Sequence, residues 1–314
     1  MKRMRKRLIP ALLICLGTGP AIEPSDLAPS DSPPPPISIE KAKAMPHFLQ
    51  LDPRFFGADG EDYCGPTSAS DYMLYLAAHG YPNLNLLDIA DVELSQTALV
   101  ERLASEKYMN TGTEPPRTGT SPSRFLYGLR KYLTERGYSY RHFQYAGLSP
   151  LANRIGKAYL GKTIDLNWLK RAIADPHGAA WLAIGWYSRG KTPGQWLRRG
   201  GHWVAVVGYG SDGSGNDPHR FLLDNPAMGP RIAIPGQGPL RSRAITLADQ
   251  AVTLSPSGPG QLVSENLRTN DAEGMFQVTG PGLRFGRPID AAFVEGAAVL
   301  VLDDPPAPVP TTSP

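Results

Sequence analysis

Three places in the chain carry side chains that could do nucleophilic chemistry together. The first is Cys64, which is followed by Gly65-Pro66-Thr67-Ser68 and then by Ala69–Ala78. In that stretch Tyr72, Tyr75 and Leu76 recur at three- and four-residue spacing, and Gly80 closes it. This predicts a helix with one face fit for burial. Pro66 suits a first helical turn, and Thr67 and Ser68 can serve unpaired backbone donors there. At a helix N-terminus, open amides and the positive dipole end favour thiolate over thiol. Cys64 is therefore the candidate nucleophile.

A thiolate nucleophile needs an imidazole to hold it and later to protonate the leaving group. His47, His79, His142, His177 and His219 fall in loops, at element ends or in a polar strand, and read as surface or capping residues. His202 differs: it follows Arg199-Gly200-Gly201 and opens the apolar run Trp203–Tyr209. A histidine at the mouth of a core strand is rigidly placed, and the glycines permit close approach of another segment. The imidazole in turn needs a carbonyl or carboxylate to fix its tautomer. The next strand ends Leu223-Asp224-Asn225-Pro226, so either Asp224 or Asn225 can fill that role.

Several elements must position these groups. Further helices are expected over Ile89–Lys107, with a stripe of Leu94, Ala98, Leu99, Leu103 and Ala104, over Arg124–Arg136 and over Ile164–Ala174. Strands are expected at Tyr138–Gln144, Ala179–Tyr187, His202–Tyr209 and Arg220–Asn225, the last three as consecutive antiparallel neighbours. Val252–Leu254, Phe276–Val278, Phe285 and Val299–Leu302 can supply more. Helices first and sheet later imply an α+β domain over residues 47–302. A Pro-rich linker at 22–46 and a Pro-rich tail at 303–314 flank it.

The formal charge of +3 comes from the first seven residues, which hold five basic side chains. Without residues 1–21 the chain has 27 basic and 29 acidic residues, a net of −2, and no patch that calls for nucleic acid. The basic start, apolar Leu8–Leu16 and small residues at 17–21 have the form of a secretory signal too short for a stable membrane span. The expected location is secreted or periplasmic. Ile14 before Cys15 speaks against a lipoprotein. The mature chain would keep one cysteine, Cys64, and a lone thiol in an oxidising compartment is either buried or used.

Other chemistry is disfavoured. No His-Glu-x-x-His, no Cys/His metal spacing and no Gly-x-Ser-x-Gly occurs, and no cofactor is expected. Gly208–Gly213 fits a dinucleotide fingerprint but leads into a polar turn rather than a helix. Asp212, Ser214, Asn216 and Asp217 alternate like a calcium loop but lack its closing glutamate. The basic, aromatic segment Arg189–Arg199 reads as a solvated loop or as a substrate rim.

Cys-Gly-Pro-Thr-Ser at 64–68, Gly-Gly-His-Trp-Val-Ala-Val-Val-Gly-Tyr at 200–209 and Leu-Leu-Asp-Asn-Pro-Ala at 222–227 together resemble papain-like cysteine peptidases. The nearest branch is similar to the bacterial double-glycine-leader (bacteriocin-processing) peptidases and their free-standing relatives. The resemblance covers residues 47–230. It implies a helical half and a sheet half with a cleft between them, Cys64 as nucleophile and His202 as base. That branch carries Asp-Pro where this chain has Asn225-Pro226, so Asn225 is the matching orienting residue.

One departure bears on the catalytic chemistry. Relatives commonly place a glutamine a few residues before the cysteine as an oxyanion donor; Ala58 stands there, and Gln50 is the nearest glutamine upstream. Losing one such donor costs about 100- to 1000-fold in rate. The expected function is an exported cysteine peptidase working on peptide or protein substrates through a thioester acyl-enzyme. An acyltransferase on the same triad, or a catalytically weak or inactive fold that binds protein, are the alternatives.

Overall fold

The computed structural model describes residues 32–305, except 53, 58, 87–90, 115–116, 150–157, 229–245, 265–267 and 284–288. The signal-like start, the first part of the linker, Phe285 and the tail beyond 305 lie outside the described residues.

The helices are α1 (Glu40–Ala44), α2 (Cys64–Ala78), α3 (Val92–Ala104), α4 (Pro122–Glu135), α5 (Leu166–Ala174) and α6 (Leu247–Gln250). Local chemistry sets their starts. Asp91 caps α3 and Asp165 caps α5 by accepting from backbone amides, and Pro122 occupies the first turn of α4. In α3 the buried face is Gln96, Leu99, Val100 and Leu103, whereas Leu94 is 54% exposed. Leu99, Leu103 and Ala104 of the expected stripe are buried; Leu94 is not, and the polar Gln96 takes a core position.

The strands are β1 (Gly112–Glu114), β2 (Arg117–Gly119), β3 (Tyr140–Gly147), β4 (Tyr159–Gly161), β5 (Gly178–Arg189), β6 (Gln195–Ser211), β7 (Asn216–Asp224), β8 (Ala251–Pro256), β9 (Gln261–Val263), β10 (Thr269–Asp271), β11 (Phe276–Thr279) and β12 (Ala291–Leu302). The architecture is α+β. Strands β5, β6 and β7 are antiparallel neighbours, as expected. The pairings β6–β7–β8–β11–β12–β5–β6 close into a ring. Strand β6 is far longer than its apolar run. Its first half pairs with Tyr187–Arg189 and with β9, so His202 lies mid-strand and not at the strand mouth.

Both faces of the central strands are buried. Trp181, Trp203, Ala205, Val207 and Leu222 face α2, α3 and α4. Leu182, Ile184, Val204, Val206, Leu223, Val252 and Val299 form a second core with Trp168, Leu169 and Ile173 of α5. Helix α2 is bolted to the sheet by side chains that satisfy main-chain carbonyls. The Trp181 indole donates to Ser68 O (2.9 Å) and the Tyr72 hydroxyl to Val206 O (2.5 Å).

From Pro33 onward, part of the stretch expected as linker lies on the sheet. Ser38 and Tyr209 exchange backbone hydrogen bonds, and the Tyr209 hydroxyl donates to Pro35 O. Lys41 of α1 is buried and donates to Asp175 O (2.6 Å) and Gly178 O (2.5 Å), carbonyls just beyond α5. Burial pulls its ammonium down to about 7 from 10.5. The unfolded lysine therefore binds more protons between those values, and stability rises with pH across that window. In urea unfolding, the wild type is expected to gain about 2 kcal/mol from Lys41 between pH 7 and 9. Lys41→Met should lack that gain.

Candidate active site

Strand β7 ends at Asp224, opposite Ala205 of β6. Paired residues share a face. Ala205 faces the helices, so Asp224 points toward α2, whereas Asn225 falls on the other face with Val204 and His202. The ambiguity left by the sequence resolves: Asn225 Oδ1 lies 2.7 Å from His202 Nε2, and Asp224 is not the partner of His202.

The Asn225 amide is held in one orientation. Its Nδ2 donates to Gly282 O (2.9 Å) and its Oδ1 accepts from Ala227 N (3.0 Å). Flipping it would set oxygen against oxygen. The atom facing His202 is therefore an acceptor, so Nε2 carries the ring hydrogen and Nδ1 carries the lone pair. Trp186 stacks on the imidazole, with centroids 6.0 Å apart.

Cys64 opens α2 as expected and is not in a disulfide. Its sulfur accepts from the amides of Trp203, the residue after His202, and of Gly65. The approach is close: a Cβ on Gly65 would stand 2.9 Å from Thr120, whose carbonyl accepts from the Trp203 indole (2.8 Å). The structure thus sets Cys64 against the backbone of β6 at Trp203, and His202 against Asn225.

The charge state differs from the sequence expectation. Burial pushes the Cys64 thiol up to about 11, outweighing the helix-start amides, and Asp62 adds to the rise. Burial likewise pushes His202 down to about 4, against the hydrogen bond that its ring donates to Asn225. Each residue is under 10% exposed. Both are neutral in this closed state because desolvation exceeds the dipole effect.

Gln50 reaches the loop before Cys64, but its amide donates to Gly60 O (2.8 Å) and Glu61 O (3.2 Å). In this state it braces the loop and aims no hydrogen at an oxyanion. In the basic segment, Arg198 forms a two-point contact with Glu295, and Arg199 donates to Ser188. The Asp212 carboxylate accepts from Ser214 and Arg220, as in a plain hairpin turn.

One histidine was misread. His47 was expected at the surface, yet its imidazole bonds Asp224 through Nδ1 and Met228 O through Nε2 (2.8 Å). The available signal was its place directly before the apolar pair Phe48-Leu49. Behind Asp224 lies Asp71 of α2, whose Oδ1 accepts from Gln96.

No helix among the described residues is long and apolar enough to cross a membrane. Comparison with family models, curated proteins and solved structures gives no match to this chain.

Proposed function

We propose that the chain is an exported cysteine hydrolase of papain-like fold, acting on peptide bonds through Cys64, His202 and Asn225. The observation that carries this reading is the locked Asn225 amide, which leaves the lone pair of His202 on Nδ1, while the cysteine at the helix start accepts from the amide of Trp203, the next residue of β6. In the reaction, Nδ1 takes the thiol proton as sulfur attacks the substrate carbonyl carbon. The amides at the start of α2 stabilise the oxyanion. The C–N bond then breaks, the departing amine takes the proton from Nδ1, and a thioester remains on Cys64. Water attacks the thioester, His202 accepts and returns a proton, and the acid leaves. An amine in place of water gives the acyltransferase variant.

The closed state is a resting state. Moving the proton from a thiol near 11 to a ring near 4 costs on the order of 10 kcal/mol before attraction between the charges is counted. Substrate entry must hydrate or polarise the pair. The same burial, with the Gln50 amide turned onto carbonyls, favours the second reading, a catalytically silent fold that binds protein.

Mass spectrometry after incubation with a mixed peptide-ester library separates the two. The hydrolase gives an acyl adduct on Cys64 that hydroxylamine removes and Cys64→Ala lacks. Absence of any adduct and of any hydrolysis supports the binding fold.

A further inference from the structure

His47 lies outside the three-residue centre yet touches the turn that carries it. Its Nδ1 meets Asp224, the residue before Asn225, and its Nε2 meets Met228 O. The same turn is braced by Gln50 N on Pro226 O (2.9 Å) and by Met228 N on Asn225 O (2.9 Å). The turn from 224 to 228 is thus held from outside by the segment 47–50, and its inner side presents Oδ1 to His202.

Proton counting gives this clamp a defined charge state. Both atoms facing the ring of His47 are oxygens of groups that accept. A neutral imidazole has one N–H and cannot donate to both. On the far side, Asp71 Oδ2 and Asp224 Oδ2 are buried without a donor of their own, and the two carboxyl groups are bonded to each other. One proton between them satisfies both. The row Asp71, Asp224, His47 therefore holds a proton at each link. With a protonated Asp71, an ionised Asp224 and an imidazolium at His47, the buried cluster is neutral. Charged or titratable groups face His47 only from β7 (Asp224) and, through it, α2 (Asp71), among the described residues; α3 adds the neutral Gln96.

We propose, resting on the catalytic reading above, that His47 is a positioning residue: as an imidazolium between Asp224 and Met228 O it fixes the turn that aims Asn225 at His202. Loss of its second proton breaks one of the two links and leaves a net negative charge in the cluster. The turn slackens, and His202 loses its fixed tautomer. Asp224 and Met228 O together raise the ring above its usual range despite burial. The contribution of His47 to stability is full below about 6.5 and is lost as pH rises through the higher folded value.

The test is nitrogen NMR of the full chain labelled in its histidine rings, together with iodoacetamide alkylation of Cys64. At pH 7 one ring, missing in His47→Gln, is expected to carry two protons. When it loses one at higher pH, the Nε2 signal of His202 is expected to move at the same pH. In His47→Gln that movement is absent and alkylation falls by up to about 100-fold, the size of effect that a 1 Å misplacement produces. A singly protonated His47 at pH 7, or a His202 signal indifferent to its titration, overturns the proposal. Both of those readings come from the wild-type chain, so they stand even if His47→Gln fails to fold. Alkylation of His202→Ala separates the causes of failure. If it matches the wild type, the catalytic reading fails; if it is slow while His202 ignores His47, only the role of His47 fails.

Discussion

His202→Ala is expected to lower amide hydrolysis at pH 7 by about 10,000-fold or more, the scale seen when a base is removed from a nucleophile–base unit. Without the imidazole, the thiol must lose its proton to solvent, and burial holds it near 11. The departing amine also lacks its acid. Asn225→Ala is expected to cost less, because it frees the ring tautomer without removing the base. Stability supplies an independent readout. The unfolded histidine takes a proton below about 6.5, whereas the folded one resists until about 4. The unfolded state binds more protons in that window, so the wild type loses stability as pH falls through it, by about 3 kcal/mol for this group. His202→Ala should lack that part of the acid sensitivity in urea melts at pH 7 and pH 4.5. A variant that hydrolyses peptides at the wild-type rate would remove His202 from the chemistry.

The largest stability effect is expected at Asp224. Its side chain is 1% exposed and faces both the His47 imidazole and the Asp71 carboxyl. Asp224→Ala leaves the ring of His47 without its counter-charge and Asp71 without its acceptor. Breaking a buried pair from one side costs about 3–5 kcal/mol, and urea unfolding at pH 7 should show a loss in that range. Asp71→Asn is the matched control. Burial, then the Asp224 carboxylate beside it, hold Asp71 well above the usual carboxylate range, so it already carries a proton. An asparagine accepts from Gln96 and donates to Asp224 as that acid does, so the cost should be about 1 kcal/mol or less. Equal losses in the two variants would contradict the proton assignment.

How much of this was legible depended on whether the signal was local. The start of α2 at Cys64 was written in Gly-Pro-Thr-Ser and the spacing of Tyr72 and Leu76. The three central strands were written in their apolar runs. The choice between Asp224 and Asn225 was not, since the end of β7, Phe221–Leu223, is buried and apolar on both faces and the register of β7 against β6 shifts at two bulges. Counting back from the hairpin could not reveal which of the two shared a face with His202. The charge state of Cys64 was misjudged for a related reason: helix-start amides are visible in sequence, whereas the depth of burial is set by Trp203, Thr120 and the rest of the assembled core. His47 and Gln96 were hidden because a polar residue reads as surface unless its buried partner is known. Their partners, Asp224 and Asp71, are 177 and 25 residues away in the chain.

The most direct test of the Cys64–His202 assignment is the pH dependence of Cys64 alkylation by iodoacetamide, in the wild type and in His202→Ala. With both groups neutral at rest, an imidazole that takes the thiol proton as sulfur attacks the reagent gives the wild type a component of reactivity at neutral pH, far below the thiol's own value near 11. That component should be absent in the variant, which should react only as its buried thiol ionises toward 11. Superimposable profiles would mean that His202 does not act on Cys64, and the silent binding fold would become the better reading.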